Sequence, residues 1–175
     1  MGKHKAVYLL AALFLLCAIA VPLRYTRQHS MFVAGSFEAG SSALEPRVLI
    51  ATQGSSFKNA LVDGLLADLK PRTGYLKVID VANLSKIQEK EWAAIVVLHT
   101  WEYGKPQADA AAFVGRASEK RKLIVVTTSG GGAEKMPGID AISAASAMRQ
   151  VPAGVAEVTG RIESLLKKRP PEASP

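Results

Sequence analysis

From Arg47 onward, short continuous apolar runs alternate with stretches whose apolar residues recur at helical spacing. Val48–Ala51, Tyr75–Val81, Trp92–Leu98 and Lys122–Thr127 read as strands, and Ile139–Ser143 as a short fifth. The unbroken runs Ala-Ala-Ile-Val-Val-Leu and Leu-Ile-Val-Val are expected of strands covered on both faces. Between them, Phe57–Leu69 places Ala60, Leu61, Leu65, Leu66 and Leu69 on one helical face. Gln107–Ala117 and Ala153–Lys167 read as further helices, the last with Val155, Val158 and Ile162 on one face. Asn83–Glu89 predicts a short helix or turn with Ser85 as a cap. Strand–helix alternation predicts an α/β fold, a doubly wound five-stranded parallel sheet with helices on both faces.

Such sheets bind ligands in the crevice at the carboxyl ends of their strands. The loops expected there follow the first, third and fourth strands: Thr52–Ser56, His99–Pro106 and Thr128–Gly132. The first joins a strand to a helix start, where unpaired N–H groups and the helix dipole favour an anion. Its small and hydroxylated residues, Thr52, Gly54, Ser55 and Ser56, make a candidate phosphate cradle. The second carries Trp101, Tyr103 and Gly104, and the third Thr128, Ser129 and Gly130. A Ser55–His99 hydrolase pair is disfavoured, because Gln-Gly-Ser-Ser lacks the Gly-x-Ser-x-Gly elbow. A phosphoacceptor role is disfavoured too, since the third strand ends in His99-Thr100 without an aspartate.

The first 46 residues change the picture. Ala6–Leu23 is an uncharged apolar run of about 18 residues, near the lower limit for crossing a bilayer. Lys3 and Lys5 precede it, as in an export signal. Residues 1–27 therefore read as a signal anchor, a single-pass transmembrane segment with the following domain exported. The alternative is a secreted protein cleaved near Ala20. Residues 28–46, rich in Ser, Gly and Ala, are expected to be a linker, although Met31-Phe-Val33 offers local packing. The domain is expected over 47–167, with a disordered Pro-rich tail over 168–175. The formal charge of +7 is concentrated at the two ends and leaves an ordinary domain surface. No basic stripe interleaved with aromatics points to nucleic acid. A single cysteine excludes an intrachain disulfide framework.

Over Arg47–Lys167 the sequence resembles the flavodoxin family. Thr52-Gln-Gly-Ser-Ser56 stands where that family carries its hydroxyl-rich phosphate loop. Trp101-Glu-Tyr-Gly-Lys-Pro106 is similar to its aromatic-Gly-x-Pro loop, and Thr127-Thr-Ser-Gly-Gly-Gly132 to the loop across the flavin ring. The resemblance implies FMN as cofactor. It implies Thr52, Gly54, Ser55 and Ser56 on the phosphate, Trp101, Tyr103 and Gly104 against the ring, and Thr128, Ser129 and Gly130 along its edge. Phe57 stands where the family usually has a further hydroxyl. The expected function is a membrane-tethered, FMN-dependent electron carrier or oxidoreductase, with a redox partner protein or a quinone. The alternative is a flavin-free flavodoxin-like module for protein–protein interaction at the cell envelope.

Overall fold

The computed structural model describes residue 8 and residues 10–21 and 32–168. The chain divides into two compact units at Met31 and Phe32. In the first, residues 10–21 are helical and their apolar side chains are exposed. Among the described residues no helix is long and apolar enough to cross a membrane. Lys3, Lys5, both ends of the Ala6–Leu23 run and the tail beyond Lys168 lie outside the described residues.

The second unit is built on one sheet. Its strands are β1 (Phe37–Gly40), β2 (Arg47–Thr52), β3 (Tyr75–Asp80), β4 (Ala94–Glu102), β5 (Lys105–Pro106), β6 (Leu123–Thr128) and β7 (Ile142–Ala144). The order across the sheet is β1-β3-β2-β4-β6-β7, with β5 folded back on β4. The strands β2, β3, β4, β6 and β7 are mutually parallel. Counted among themselves they stand in the order 2-1-3-4-5. Helices α1 (Ser56–Leu69) and α3 (Val151–Lys167) cover one face, and α2 (Ala108–Arg116) with a 3-10 turn at Val81–Lys86 covers the other.

The reasons are local. In β2, Val48–Ala51 are fully buried, as are Ala94–Leu98 in β4, so both central strands carry apolar side chains on both faces. In α1, Leu61, Val62, Leu65 and Leu69 turn inward against Val158 and Ile162 of α3. Ser55 caps α1, its hydroxyl accepting from the Lys58 N–H at 3.2 Å. Gln107 caps α2, its side-chain oxygen accepting from the Ala110 N–H at 2.7 Å.

Several expectations change. The short turn after β3 is capped by Asp80, whose carboxylate accepts from the Ala82 N–H at 2.9 Å, and not by Ser85. Trp92 precedes β4 instead of opening it. It stacks on Tyr75 at 5.9 Å, with the Arg47 guanidinium 4.9 Å above its ring. Within the stretch expected to be a linker, Phe37–Gly40 forms β1, antiparallel to β3. An ion pair from Lys77 to Glu38, 2.7 Å long, ties this edge strand down. No helix separates β6 from β7; Met136 and Ala141 fill that face from a loop.

The largest departure is the loop after the third parallel strand. β4 continues through His99, Thr100, Trp101 and Glu102 and turns back into β5. Tyr103 and Gly104 form the turn, with φ of 51° and 76°. Two consecutive positive φ values are what a tight hairpin between right-twisted strands requires, and glycine at the second suits it. The polar residues His99 and Thr100 stay in the strand because their backbone remains paired. Beyond Thr52, where β2 stops, the Gln53 side chain takes over and accepts from the Thr100 N–H at 2.7 Å. On the other side Thr100 registers with Thr128 of β6.

Candidate functional site

In a 2-1-3-4-5 sheet the direction of winding reverses between the first and third parallel strands, and the crevice opens there at their carboxyl ends. Here those strands are β2 and β4. The junction between them holds a polar cluster of buried Gln53, Lys58, His99, Thr127 and Thr128 with half-buried Thr100.

Lys58 is the third residue of α1, within its first turn, and is fully buried. Its ammonium donates to the Thr100 hydroxyl at 2.5 Å. That hydroxyl is 3.3 Å from the Thr128 hydroxyl, which donates to the His99 carbonyl at 3.2 Å. Removal from water disfavours the charged amine and pushes the Lys58 pKa down to about 8, although Glu102 pulls the other way. Lys58 is not among the residues expected at this site from the sequence. Its signal was legible: positions 58, 61, 62, 65 and 69 form one stripe of α1, and only 58 is charged.

His99 is also fully buried, and burial lowers its pKa to about 4. It is therefore neutral at pH 7. Its Nδ1 faces the Thr100 carbonyl at 3.1 Å, an atom that only accepts, so Nδ1 carries the proton. Nε2 then accepts from the Thr127 hydroxyl at 2.9 Å, and that hydroxyl accepts from the Met136 N–H at 3.1 Å. Neither ring nitrogen engages Ser55, so no serine–histidine pair forms. The native state binds fewer protons at His99 than the unfolded chain between about pH 4 and the ordinary 6.5. Stability is expected to fall as pH drops through that window. Melting temperatures across that window check this, and His99→Gln is expected to flatten the profile.

The expected phosphate loop is only partly open. Thr52 is buried and its hydroxyl turns to the Gln53 carbonyl at 3.0 Å. The Ser55 hydroxyl is committed to capping, while Ser56 is exposed at the first position of α1. Gly54 is covered by Phe32. The two backbones exchange hydrogen bonds, Phe32 N–H to Gly54 O at 3.0 Å and Gly54 N–H to Phe32 O at 2.7 Å. A Cβ on Gly54 would sit 2.3 Å from the Phe32 ring, so glycine is needed here to let Phe32 approach. Ala34 continues this strap, its N–H donating to Asp80 at 2.7 Å. The N–H groups left for an anion are those of the first turn of α1, at Ser56 and Phe57.

The remaining predicted residues gather at the same end of the sheet but differ in access. Trp101 is half-buried in the hairpin. Tyr103 at the tip is 98% exposed and forms no wall opposite the third loop. Gly104 shares the turn. Thr128 and Ser129 are buried. The Ser129 hydroxyl accepts from the Gly132 N–H at 2.9 Å, closing the loop on itself, and Gly130 faces solvent. A groove of about 640 Å³ lies at the opposite end of the sheet, between Lys120–Ile124 and α3, away from all these groups. Among the described residues no cluster of His, Cys, Asp or Glu is placed to hold a metal ion.

No family model matches the sequence, and no curated protein does. Among solved structures the chain is similar to the metal-soaked Flv1 flavodiiron core of Synechocystis sp. PCC6803. That match has a TM-score of 0.53 at 13% identity and covers 70% of this chain and 36% of that one. The strand order is the flavodoxin-like one. At this identity the likeness speaks to the fold alone, and the chain spans about a third of the neighbour's length.

Proposed function

We propose that the chain is a membrane-anchored flavodoxin-like domain that binds FMN at the β2–β4 junction for electron transfer. The observation that carries this reading is Lys58. Its ammonium is held by the Thr100 hydroxyl, and a fixed positive charge within the first turn of α1 adds to the positive end of the helix dipole there. FMN places a dianion at such a helix start. The Ser56 and Phe57 N–H groups and the Ser56 hydroxyl would meet the phosphate, and Lys58 would supply long-range charge from beneath. Trp101 on β4 and the Ser129–Gly132 backbone of the loop after β6 would flank the ring. Bound FMN would supply one- or two-electron redox chemistry. The protein's own part would be to orient the flavin and set its potential by stacking and hydrogen bonding. The solved neighbour is by name a flavodiiron core, which agrees with a flavin.

Anchoring rests on the uncharged run Ala6–Leu23, of which residues 10–21 are helical with exposed apolar side chains. A signal anchor would leave the domain exported, with a quinone or a redox protein as partner.

Phe32 supports a second reading. If the strap stays closed over Gly54, the domain is a flavin-free interaction module. The two readings part on the spectrum of the full chain after incubation with FMN and gel filtration. Co-eluting flavin absorption supports the first. Its absence, both in the wild type and in Phe32→Ala, supports the second.

A further inference from the structure

Of the five large apolar side chains exposed between Phe32 and Lys168, four stand at the carboxyl end of the sheet. Phe32 is 52% and Val33 82% exposed over the end of β2, Tyr103 is 98% exposed at the hairpin tip, and Met148 is 55% exposed after β7. The fifth, Leu44, lies at the opposite end, in the connection from β1 to β2. Exposed apolar residues scattered singly need no explanation, but a one-ended distribution does.

Tyr103 adds an independent observation. Its φ of 51° is in the left-handed region, where a residue with a Cβ pays roughly 1–2 kcal/mol. Asparagine would fill this turn position at less cost. A side chain 98% exposed recovers none of that strain by packing within the domain. The hairpin requires the positive φ but not an exposed tyrosine ring, and that choice of residue points to a contact outside the domain.

The route of the chain names the partner. Phe32, the first described residue of the domain, pairs with Gly54 at this same end, so the preceding stretch of sequence joins the domain here. Residues 22–31 span at most roughly 35 Å even when fully extended. They carry Arg24 and Arg27, and Lys105 and Arg149 are exposed near Tyr103 and Met148. A tyrosine ring with a polar tip, beside exposed Phe32 and Val33 and with basic side chains near it in sequence, matches the headgroup region of a bilayer.

We propose that the carboxyl end of the sheet docks on the lipid surface, with Tyr103 and the Phe32–Val33 strap seated among the headgroups. The inference rests on the membrane-anchored reading above. It places the β2–β4 junction beside the bilayer, so a lipid-soluble redox partner such as a quinone would approach a flavin bound there from the lipid side.

The chain's sparse tryptophan content makes the test direct. Trp101 is replaced by phenylalanine, and Trp92, buried at the far end of the sheet, stays as a constant background. In this background Tyr103→Trp probes the docked end and Leu44→Trp the opposite one. Each full-length variant is reconstituted into phosphatidylcholine–phosphatidylglycerol vesicles with brominated acyl chains. Both are expected to float with the vesicles. The Tyr103→Trp emission is expected to shift to the blue and lose most of its intensity, while the Leu44→Trp emission stays unchanged. Flotation with both probes unquenched, or with both quenched alike, overturns the docking and leaves the anchor standing. Failure to float overturns the anchor itself and the docking with it.

Discussion

Replacing Lys58 with methionine is expected to weaken FMN binding about 10- to 100-fold. Two unit charges about 10 Å apart attract by roughly 1.7 kcal/mol at an effective dielectric near 20, and each 1.4 kcal/mol is about tenfold in affinity. Methionine keeps much of the volume of the lysine stem but removes the donor to the Thr100 hydroxyl, so stability is expected to fall by about 1–3 kcal/mol. Riboflavin, which has no phosphate, is expected to bind Lys58→Met and the wild type alike, which separates a binding role from a structural one. Lysine also gives binding a pH signature. Without ligand, its pKa is about 8. A bound dianion favours the ammonium and raises that value. The complex then holds more protons than the free protein above about pH 8, so affinity falls as pH rises through that point. The phosphate is already dianionic there. Fluorescence titrations of FMN between neutral and alkaline pH are expected to show this slope in the wild type. Lys58→Met is expected to be flat. A Lys58→Met protein that binds with wild-type affinity and the same slope contradicts the assignment.

Ser56→Asp is expected to reduce FMN affinity more than 100-fold. Ser56 is exposed at the first position of α1, beside the N–H groups assigned to the phosphate. Two unit charges about 5 Å apart repel by roughly 3 kcal/mol at an effective dielectric near 20, and a dianion nearly doubles that. The same substitution places a negative charge in the first turn of α1, which has no acidic residue. There it favours the helix dipole by up to about 1 kcal/mol. Binding should thus be lost while the unliganded protein becomes slightly more stable. Calorimetric titration together with thermal unfolding reads both quantities. Retained affinity removes the phosphate from α1.

Much of the fold was legible because its central strands announce themselves. Val48–Ala51, Ala94–Leu98 and Leu123–Val126 are continuous apolar runs, and buried parallel strands need apolar residues on both faces. What stayed hidden depends on distant partners. β1 alternates exposed and half-buried residues among Gly and Ser, and its place is fixed by β3 and Lys77, far along the chain. The true end of β4 was hidden because His99 and Thr100 look like loop residues. They remain in the strand only because Gln53 and β6 pair their backbone. The candidate site shows the same division. The loops that meet at the carboxyl edge followed from strand order. Lys58 could be seen as the one charge on an apolar stripe. The Phe32 strap could not, since nothing local to either residue links Phe32 to Gly54. That strap gives Gly54 a packing role where the sequence suggested an anion role.

The most direct test of the central claim is an FMN fluorescence titration of the purified full chain at neutral pH, with riboflavin in parallel. The account predicts saturable quenching by FMN and at least tenfold weaker binding of riboflavin, because the dianion supplies roughly 1.4 kcal/mol or more through α1 and Lys58. Quenching by neither flavin, in the wild type and in Phe32→Ala alike, or equal binding of both, would contradict it.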